Sequence, residues 1–292
     1  MTLEFHKYHA LGNDYLVIDP NHTKIRLDPG VIKLLCDRHF GVGSDGILSG
    51  PFIEDNVVIR LRIFNPDGSE AEKSGNGIRI FSKYLFDAGY VKARSFEIAT
   101  LGGAVSIELM DDTANLIKVD MGEVTFRSDR IPVKGPVRDV VNEKIVIDGN
   151  AFAMTCLSIG NPHCVIPVLE PSRELALRLG PLVENDALFP NRINMQLLKV
   201  IDRNTIRIEI WERGAGYTMA SGSSSCAAAS AAYKMGLVDS TIKVHMPGGV
   251  IDIEIKDGHV FMTGPVFGIC KGTFLDDFAR SINEIPKKAE QK

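Results

Sequence analysis

Little in this chain offers a ready-made framework. Its five cysteines, Cys36, Cys156, Cys164, Cys226 and Cys270, are odd in number and contain no C-x-x-C pair. That argues against a disulfide framework and a structural zinc site, and leaves reduced, mostly buried thiols. No window reaches 18 apolar residues, and the amino-terminal MTLEFHKYHALGNDYLVID lacks a basic segment followed by an apolar one. Membrane insertion and secretion are both disfavoured, and the expected location is the cytoplasm. Lys and Arg form no basic run and the formal charge is only −4, which argues against nucleic acid or an anionic membrane and for a small molecule. There is no dinucleotide fingerprint, no G-x-x-x-x-G-K-[ST] phosphate loop and no H-E-x-x-H, so chemistry with neither cofactor nor metal is expected.

What the chain does have is a repeat. Its 292 residues, 45% of them hydrophobic, suffice for one large domain or two ordinary ones. AEKSGNGIRIFSKYL, starting at Ala71, and ASGSSSCAAASAAYKMG, starting at Ala220, each place a Ser-Gly step at the mouth of a helix. Ser74 aligns with Ser221, Asn13 with Asn161, Gly102 with Gly248 and Gly122 with Gly264, the offset drifting only between 148 and 142. Turn signals scatter through any α/β chain, but order and spacing together indicate two related halves.

Each half has the same plan. YLVID, VVIRLRIF and SFEIA are β-branched, strand-like stretches answered by CVIPVL, TIRIEIW and TIKVHM. One strong helix follows the second strand of each set, over residues 76–88 and 223–235, with Gly89 and Gly236 as stops. The two G-G turns are flanked by alternating apolar positions, Val105, Ile107 and Leu109 in one half and Val250, Ile251, Ile253 and Ile255 in the other, which predicts hairpins with a buried face. CAAASAAYKMG carries so little charge that it must be buried nearly all round. The predicted fold is α/β (α+β): two pseudosymmetric halves, each a curved mixed sheet or barrel wrapped around a central helix. The halves are residues 1–125, with a segment at 265–285 returning to them, and 126–264, with the active-site cleft between. PKKAEQK at the end is expected to be a frayed tail.

The first N–H groups of a helix lack internal partners and carry partial positive charge, so a buried helix mouth is an anion site. Gly75, Asn76 and Gly77, and Gly222, Ser223 and Ser224, let a ligand approach that backbone. A serine there is in isolation an N-cap. Two equivalent serines presented from opposite sides to one carbon are also the arrangement that removes a proton from one face and returns it to the other, which is racemisation.

KYHALGNDYLVID, DRHFGVGSDGIL, NPDGSEAEKSGNGIR, GNPHCV, FPNRINMQ and WERGAGYTMASGSSSCAAA resemble, in order and spacing, the signature segments of the diaminopimelate epimerase family. The resemblance implies a pseudosymmetric two-domain fold with a cofactor-independent site, interconversion of LL- and meso-diaminopimelate or a related amino acid, a place in lysine biosynthesis, and a homodimer. It makes Ser74 and Ser221 the acid/base slots, where the family has cysteines, and puts His163 beside one of them. By the same resemblance Asn13, Asn65, Asn161, Asn194, Glu212 and Arg213 grip the distal end of the substrate, with Glu212 also assisting at the reacting centre. Gly75, Asn76, Gly222 and Ser223 hold its carboxylate. Arg213 is the candidate for a bidentate hold on a second carboxylate. Taken singly, Asn13 and Asn161 are also turn residues, and Glu212 with Arg213 a structural ion pair.

This chain departs from the family pattern elsewhere too. Gly46 stands where a Gln is common, Tyr217 replaces the Glu of GAGET, and SGSSS replaces CGTGA. Cys226 corresponds to a second, non-catalytic cysteine, a turn inside the helix. A thiol ionises near pH 8.5, within reach of a helix N-terminus, whereas a hydroxyl does not. Two other readings therefore use the same scaffold: a silent amino-acid-binding protein that kept the pocket, and a lyase or dehydratase needing proton exchange on one face. A serine hydrolase built on Ser74 and His163 leaves the twinned serine unexplained.

Overall fold

The computed structural model describes residues 3–54 and 58–289. The chain divides into two compact units, Met1–Val119 with Pro265–Lys292, and Asp120–Gly264. No helix among the described residues is long and apolar enough to cross a membrane.

In the first unit, strand β1 (Glu4–Ala10) turns at Leu11-Gly12 into antiparallel β2 (Asn13–Ile18). Both turn residues have positive φ, 55° and 85°, the type I′ geometry that matches strand twist, unusual in that Leu rather than Asn or Gly holds the first position. Helix α1 (Pro29–Cys36) crosses over to β3 (Ile47–Glu54), parallel to β2. β4 (Val58–Phe64) returns antiparallel and β5 (Glu70–Ala71) folds back on it. Helix α2 (Gly75–Asp87) then crosses to β6 (Ser95–Thr100), parallel to β4, and β7 (Gly103–Leu109) and β8 (Leu116–Glu123) follow as hairpins.

The second unit repeats this ladder after one extra strand, β9 (Glu143–Ile147), which pairs with β10 (Asn150–Ser158). β10 meets β11 (Pro162–Pro167) antiparallel, and α3 (Arg173–Glu184) crosses to parallel β12 (Asn194–Asp202). β13 (Thr205–Glu212) and short β14 (Gly216–Thr218) return, and α4 (Gly222–Lys234) crosses to β15 (Thr241–Met246), parallel to β13. β16 (Gly249–Lys256) and β17 (His259–Pro265) complete the hairpins. The chain then enters β18 (Phe267–Thr273), antiparallel to β1, and α5 (Asp276–Ala289), which packs on α1.

The mixed, sheet-dominated α/β fold expected from sequence is thus present, with strand pairing of identical kind and order in both units. α2 and α4 each start one residue ahead of the expected range and stop before Gly89 and Gly236, at φ 78° and 72°. Val57 of VVIRLRIF lies outside the described residues. Residues 286–289 of PKKAEQK continue α5 rather than fraying, and residues 290–292 lie outside the described set.

Burial explains why these helices are central. Every residue from Gly75 to Leu85 is buried, as are Gly222 and Ser224 through Ala232. α4 packs on β10, β11, β12, β13, β15 and β16. Its five buried alanines, Ala227, Ala228, Ala229, Ala231 and Ala232, let surrounding strands approach from several sides, as close packing without voids requires. A second layer lies elsewhere: Val31, Ile32 and Leu35 of α1 share a core with Leu16, Ile18, Phe274 and Ile282.

α3 was not expected, because Gly180-Pro181 interrupts its helical signal. The structure supplies the reason for the glycine: a Cβ there would collide with Cγ and Cδ2 of Trp211, whose indole lies against the helix. Gly180→Ala should displace that ring and cost about 1–3 kcal/mol. Urea unfolding checks this; an unchanged midpoint would show that Trp211 moves freely.

Candidate active site

Two helix mouths carry the candidate residues. In the first unit Ser74 is extended (φ −140°, ψ 116°) and its Oγ accepts from the Gly77 N–H at 3.1 Å, making it the N-cap of α2. Its hydroxyl also lies 3.2 Å from that of Tyr15. Asn76 Nδ2 donates to Asn13 Oδ1 at 3.0 Å, and Asn13 Nδ2 to Asp45 Oδ2 at 3.0 Å. The fully buried guanidinium of Arg79, one turn on, donates to Asn76 Oδ1 at 2.9 Å. Asn13 and Asn76 are therefore held in one hydrogen-bonded corner, and Asn76 follows Ser74 and Gly75 in the chain. Asn65 instead closes its own turn, its Nδ2 donating to Ser69 Oγ at 3.0 Å and its N–H to the Ser69 carbonyl at 2.9 Å.

In the second unit Ser221 is the N-cap of α4, its Oγ accepting from Ser224 N–H at 3.4 Å and lying 3.4 Å from Ser223 Oγ. Asn161 Nδ2 reaches Ser223 Oγ at 3.4 Å, and Asn161 Oδ1 lies 3.0 Å from His163 Nε2. Asn194 donates to the Pro162 carbonyl at 2.8 Å and accepts from the Arg213 backbone N–H at 2.8 Å. Arg213 Nη1 donates to the Asn191 carbonyl at 3.0 Å, and the residue remains exposed. Glu184 braces the same loop, accepting from Trp211 Nε1 at 2.7 Å and Gly214 N–H at 3.0 Å.

Neither first turn contains an acidic residue, so no side chain within them neutralises the positive end of its helix. Glu212 does stand beside Ser221. Burial pushes its carboxyl above the ordinary carboxylate value, against hydrogen bonds from Ser221 and Thr218 that pull it down; Thr218 Oγ1 donates to Oε2 at 3.2 Å. His163 is fully buried, and desolvation lowers its pKa to about 3; the nearby Gln196 amide opposes this and the charge of Arg213 adds to it. At neutral pH it is an uncharged imidazole. Among the described residues, no group of three or more His, Cys, Asp or Glu is placed to hold a metal ion.

Sequence reasoning missed three participants. Tyr15 appears in the sequence only as a strand residue. Gln196, fully buried, donates to Ser224 Oγ at 3.0 Å in the first turn of α4. Thr218 reaches Glu212 from β14. The noted Tyr217 has a different tie: its hydroxyl donates to Glu209 at 2.7 Å, and the Arg173 guanidinium lies 5.3 Å from its ring centre.

Residues 5–127 and 155–268 match the diaminopimelate epimerase family. A "Diaminopimelate epimerase 2" from Nostoc sp. is 55% identical over 271 residues, covering 92% of this chain and 95% of that one. A diaminopimelate epimerase from Moorella thermoacetica is 38% identical over 277 residues, covering 93% and 99%. Among solved structures, a hydroxyproline epimerase from Agrobacterium vitis with bound trans-4-hydroxy-L-proline superposes with a TM-score of 0.69 at 12% identity, covering 94% and 93%. A phenazine biosynthesis protein of the PhzF family from Bacillus anthracis does so at 0.65 and 14%, covering 94% and 99%. The two structures share the fold.

His163 makes a prediction about stability. Its folded pKa lies below the unfolded value near 6.5, so the unfolded chain binds the extra proton, and stability present above pH 6.5 is lost as pH falls toward 3. By pH 4 the loss from this residue should be about 3 kcal/mol. His163→Gln should lose less stability than the parent between pH 7 and 4 in denaturant titrations; parallel curves would contradict the buried neutral imidazole.

Proposed function

The chain belongs to the diaminopimelate epimerase family, and from that premise we propose that it inverts the α-carbon of an amino acid without a cofactor. The substrate is LL- and meso-diaminopimelate or a close relative, worked on in the cytoplasm. The reacting carboxylate lies on the first-turn N–H groups of α2 and α4, at Gly75 and Asn76 and at Gly222 and Ser223. Their partial positive charge stabilises the electron density that moves toward the carboxylate as the α-proton leaves. Ser74 takes or returns that proton on one side and Ser221 on the other. Glu212 supplies the acid/base group behind Ser221. His163 stays neutral and orients Asn161 next to Ser223. Arg213, exposed and with its backbone fixed by Asn194, is the hold for the second carboxylate, and Asn13, Asn161 and Asn194 grip the distal amino-acid end.

The observation that carries this reading is the twinned construction itself: a serine N-cap at the mouth of each central helix, reached by the same sequence of strand pairings. A cap alone needs no such pairing with a second asparagine amide, as Asn76 has with Asn13 at the start of β2 and Ser223 with Asn161 in the turn before β11. The capping bonds themselves favour one other reading, a binding protein whose serines are occupied with their own helices.

Proton NMR in deuterated water separates the two. With either diaminopimelate epimer, the enzyme should exchange the α-proton with inversion, whereas tight binding without exchange would establish the silent protein. Ser74→Cys combined with Ser221→Cys should raise the rate by about 10²-fold, because a thiol ionises far closer to working pH. No gain from that pair would count against both serines facing the reacting carbon.

A further inference from the structure

Ser74 has a neighbour that Ser221 lacks. Tyr15 comes from β2, its ring only 7% exposed, with its hydroxyl 3.2 Å from Ser74 Oγ. The ring occupies that place because residue 46 is glycine: a Cβ there would stand 2.6 Å from Tyr15 Cε1 and 2.6 Å from the Phe64 carbonyl oxygen. Gly46 is fixed in turn, its carbonyl accepting from Leu16 N–H at 3.1 Å. The missing side chain and the phenol ring are thus one device, which aims a hydroxyl at the cap of α2.

The repeat indicates what that position is for. β2 and β3 pair Leu16 with Ile47, and β11 and β12 pair Cys164 with Met195. Tyr15 and Gly46 therefore occupy the register positions of His163 and Asn194. The β3–β4 ladder pairs Ile47 with Phe64 and the β12–β13 ladder Met195 with Trp211, so Asn65 occupies the position of Glu212. In the second unit the titratable partner of the serine, Glu212, comes from the end of β13. In the first that slot holds an amide turned to Ser69, and the ionisable group touching the serine comes from β2 instead.

We propose that Tyr15 is the positioning residue through which Ser74 gains and loses its proton, the first-unit counterpart of Glu212 behind Ser221. This rests on the epimerase reading above. In one direction the Cα–H bond breaks, its proton bonds to Ser74 Oγ, and the proton already on Ser74 passes to a Tyr15 phenolate; the electron pair stays on Cα and spreads into the carboxylate. Ser221 then gives its proton to the other face of Cα and is refilled by the Glu212 carboxylic acid. Tyr15 ends protonated and Glu212 ionised, and exchange with water resets both. The reverse direction runs the same transfers backward. A phenol ionises near pH 10, far below an aliphatic hydroxyl, so placing the charge on Tyr15 replaces the alkoxide that a lone serine would need. The raised value of Glu212 suits it to hold the proton on the opposite side.

The test is Tyr15→Phe, which keeps the ring over Gly46, assayed with both diaminopimelate epimers carrying α-hydrogen or α-deuterium. Epimerisation should fall about 10²-fold. The isotope effect should grow for the epimer that yields its proton to Ser74 and shrink toward unity for the other, a split that a general loosening of the site does not produce. In a Ser74→Cys background, the thiol carries its own charge and Tyr15→Phe should change the rate by less than about threefold. Gly46→Ala, which pushes the ring aside with the phenol intact, should reproduce the loss. An unaltered rate in Tyr15→Phe, or an equal fall in both backgrounds with unsplit isotope effects, overturns the proposal and leaves the epimerase reading standing. Absence of any α-exchange in the parent chain overturns the reading, and the relay with it.

Discussion

A helix enclosed by a sheet still has first-turn N–H groups that require acceptors, and this requirement organises the molecule. α2 and α4 are buried along nearly their whole length, so their amino-terminal donors cannot rely on bulk water. One acceptor at each mouth is a serine hydroxyl on Gly77 N–H or Ser224 N–H. The adjacent N–H groups form a positively polarised surface suited to a carboxylate. A capping serine can accept from its helix and still present its O–H to another group. Capping and a second hydroxyl contact therefore coexist in one side chain, as Ser74 with Tyr15 and Ser221 with Ser223 illustrate.

The two mouths share a plan and differ in chemistry. On the second, a desolvated carboxyl stands next to the serine, and a buried neutral histidine fixes an asparagine beside it. On the first, a glycine makes room for a phenol, and the asparagine equivalent to the carboxyl turns to a local loop. The proposed epimerisation does not need identical groups at both mouths, because removing a proton and donating one are different tasks at any given moment. Within each unit the serine is held in the same way, as the N-cap of a central helix reached through the same strand pairings. Glu184, tied to Trp211, Arg192 and Gly214, gives the same rigidity to the loop that carries Arg213.

Much of this was legible before any coordinates. Ser-Gly followed by an uninterrupted helix former, with Gly89 and Gly236 behind, located α2 and α4 to within a residue, because caps and stops are local chemistry. Apolar alternation identified the hairpins: Val105, Ile107 and Leu109 are buried, as are Ile251 and Ile253. α3 stayed hidden because Gly180 is explained only by Trp211, a contact between distant segments. Tyr15 was hidden for the same reason, since its partner Ser74 lies 59 positions away and its space is made by Gly46. Local pattern reveals elements and termini; the fit of one side chain into the absence of another requires three dimensions. Asn13, Asn161 and Asn194 entered as candidates only through family resemblance, and hydrogen bonds show how they and Asn76 are oriented.

The account depends on matched hydroxyls meeting one tetrahedral carbon. A crystal structure of the chain with diaminopimelate, or with an unreactive analogue substituted at the α-carbon, measures this directly. The account predicts Ser74 Oγ and Ser221 Oγ each about 3–3.5 Å from that carbon and on opposite sides of it. A complex in which either hydroxyl stays well beyond that distance, or in which both lie on one side, would contradict it.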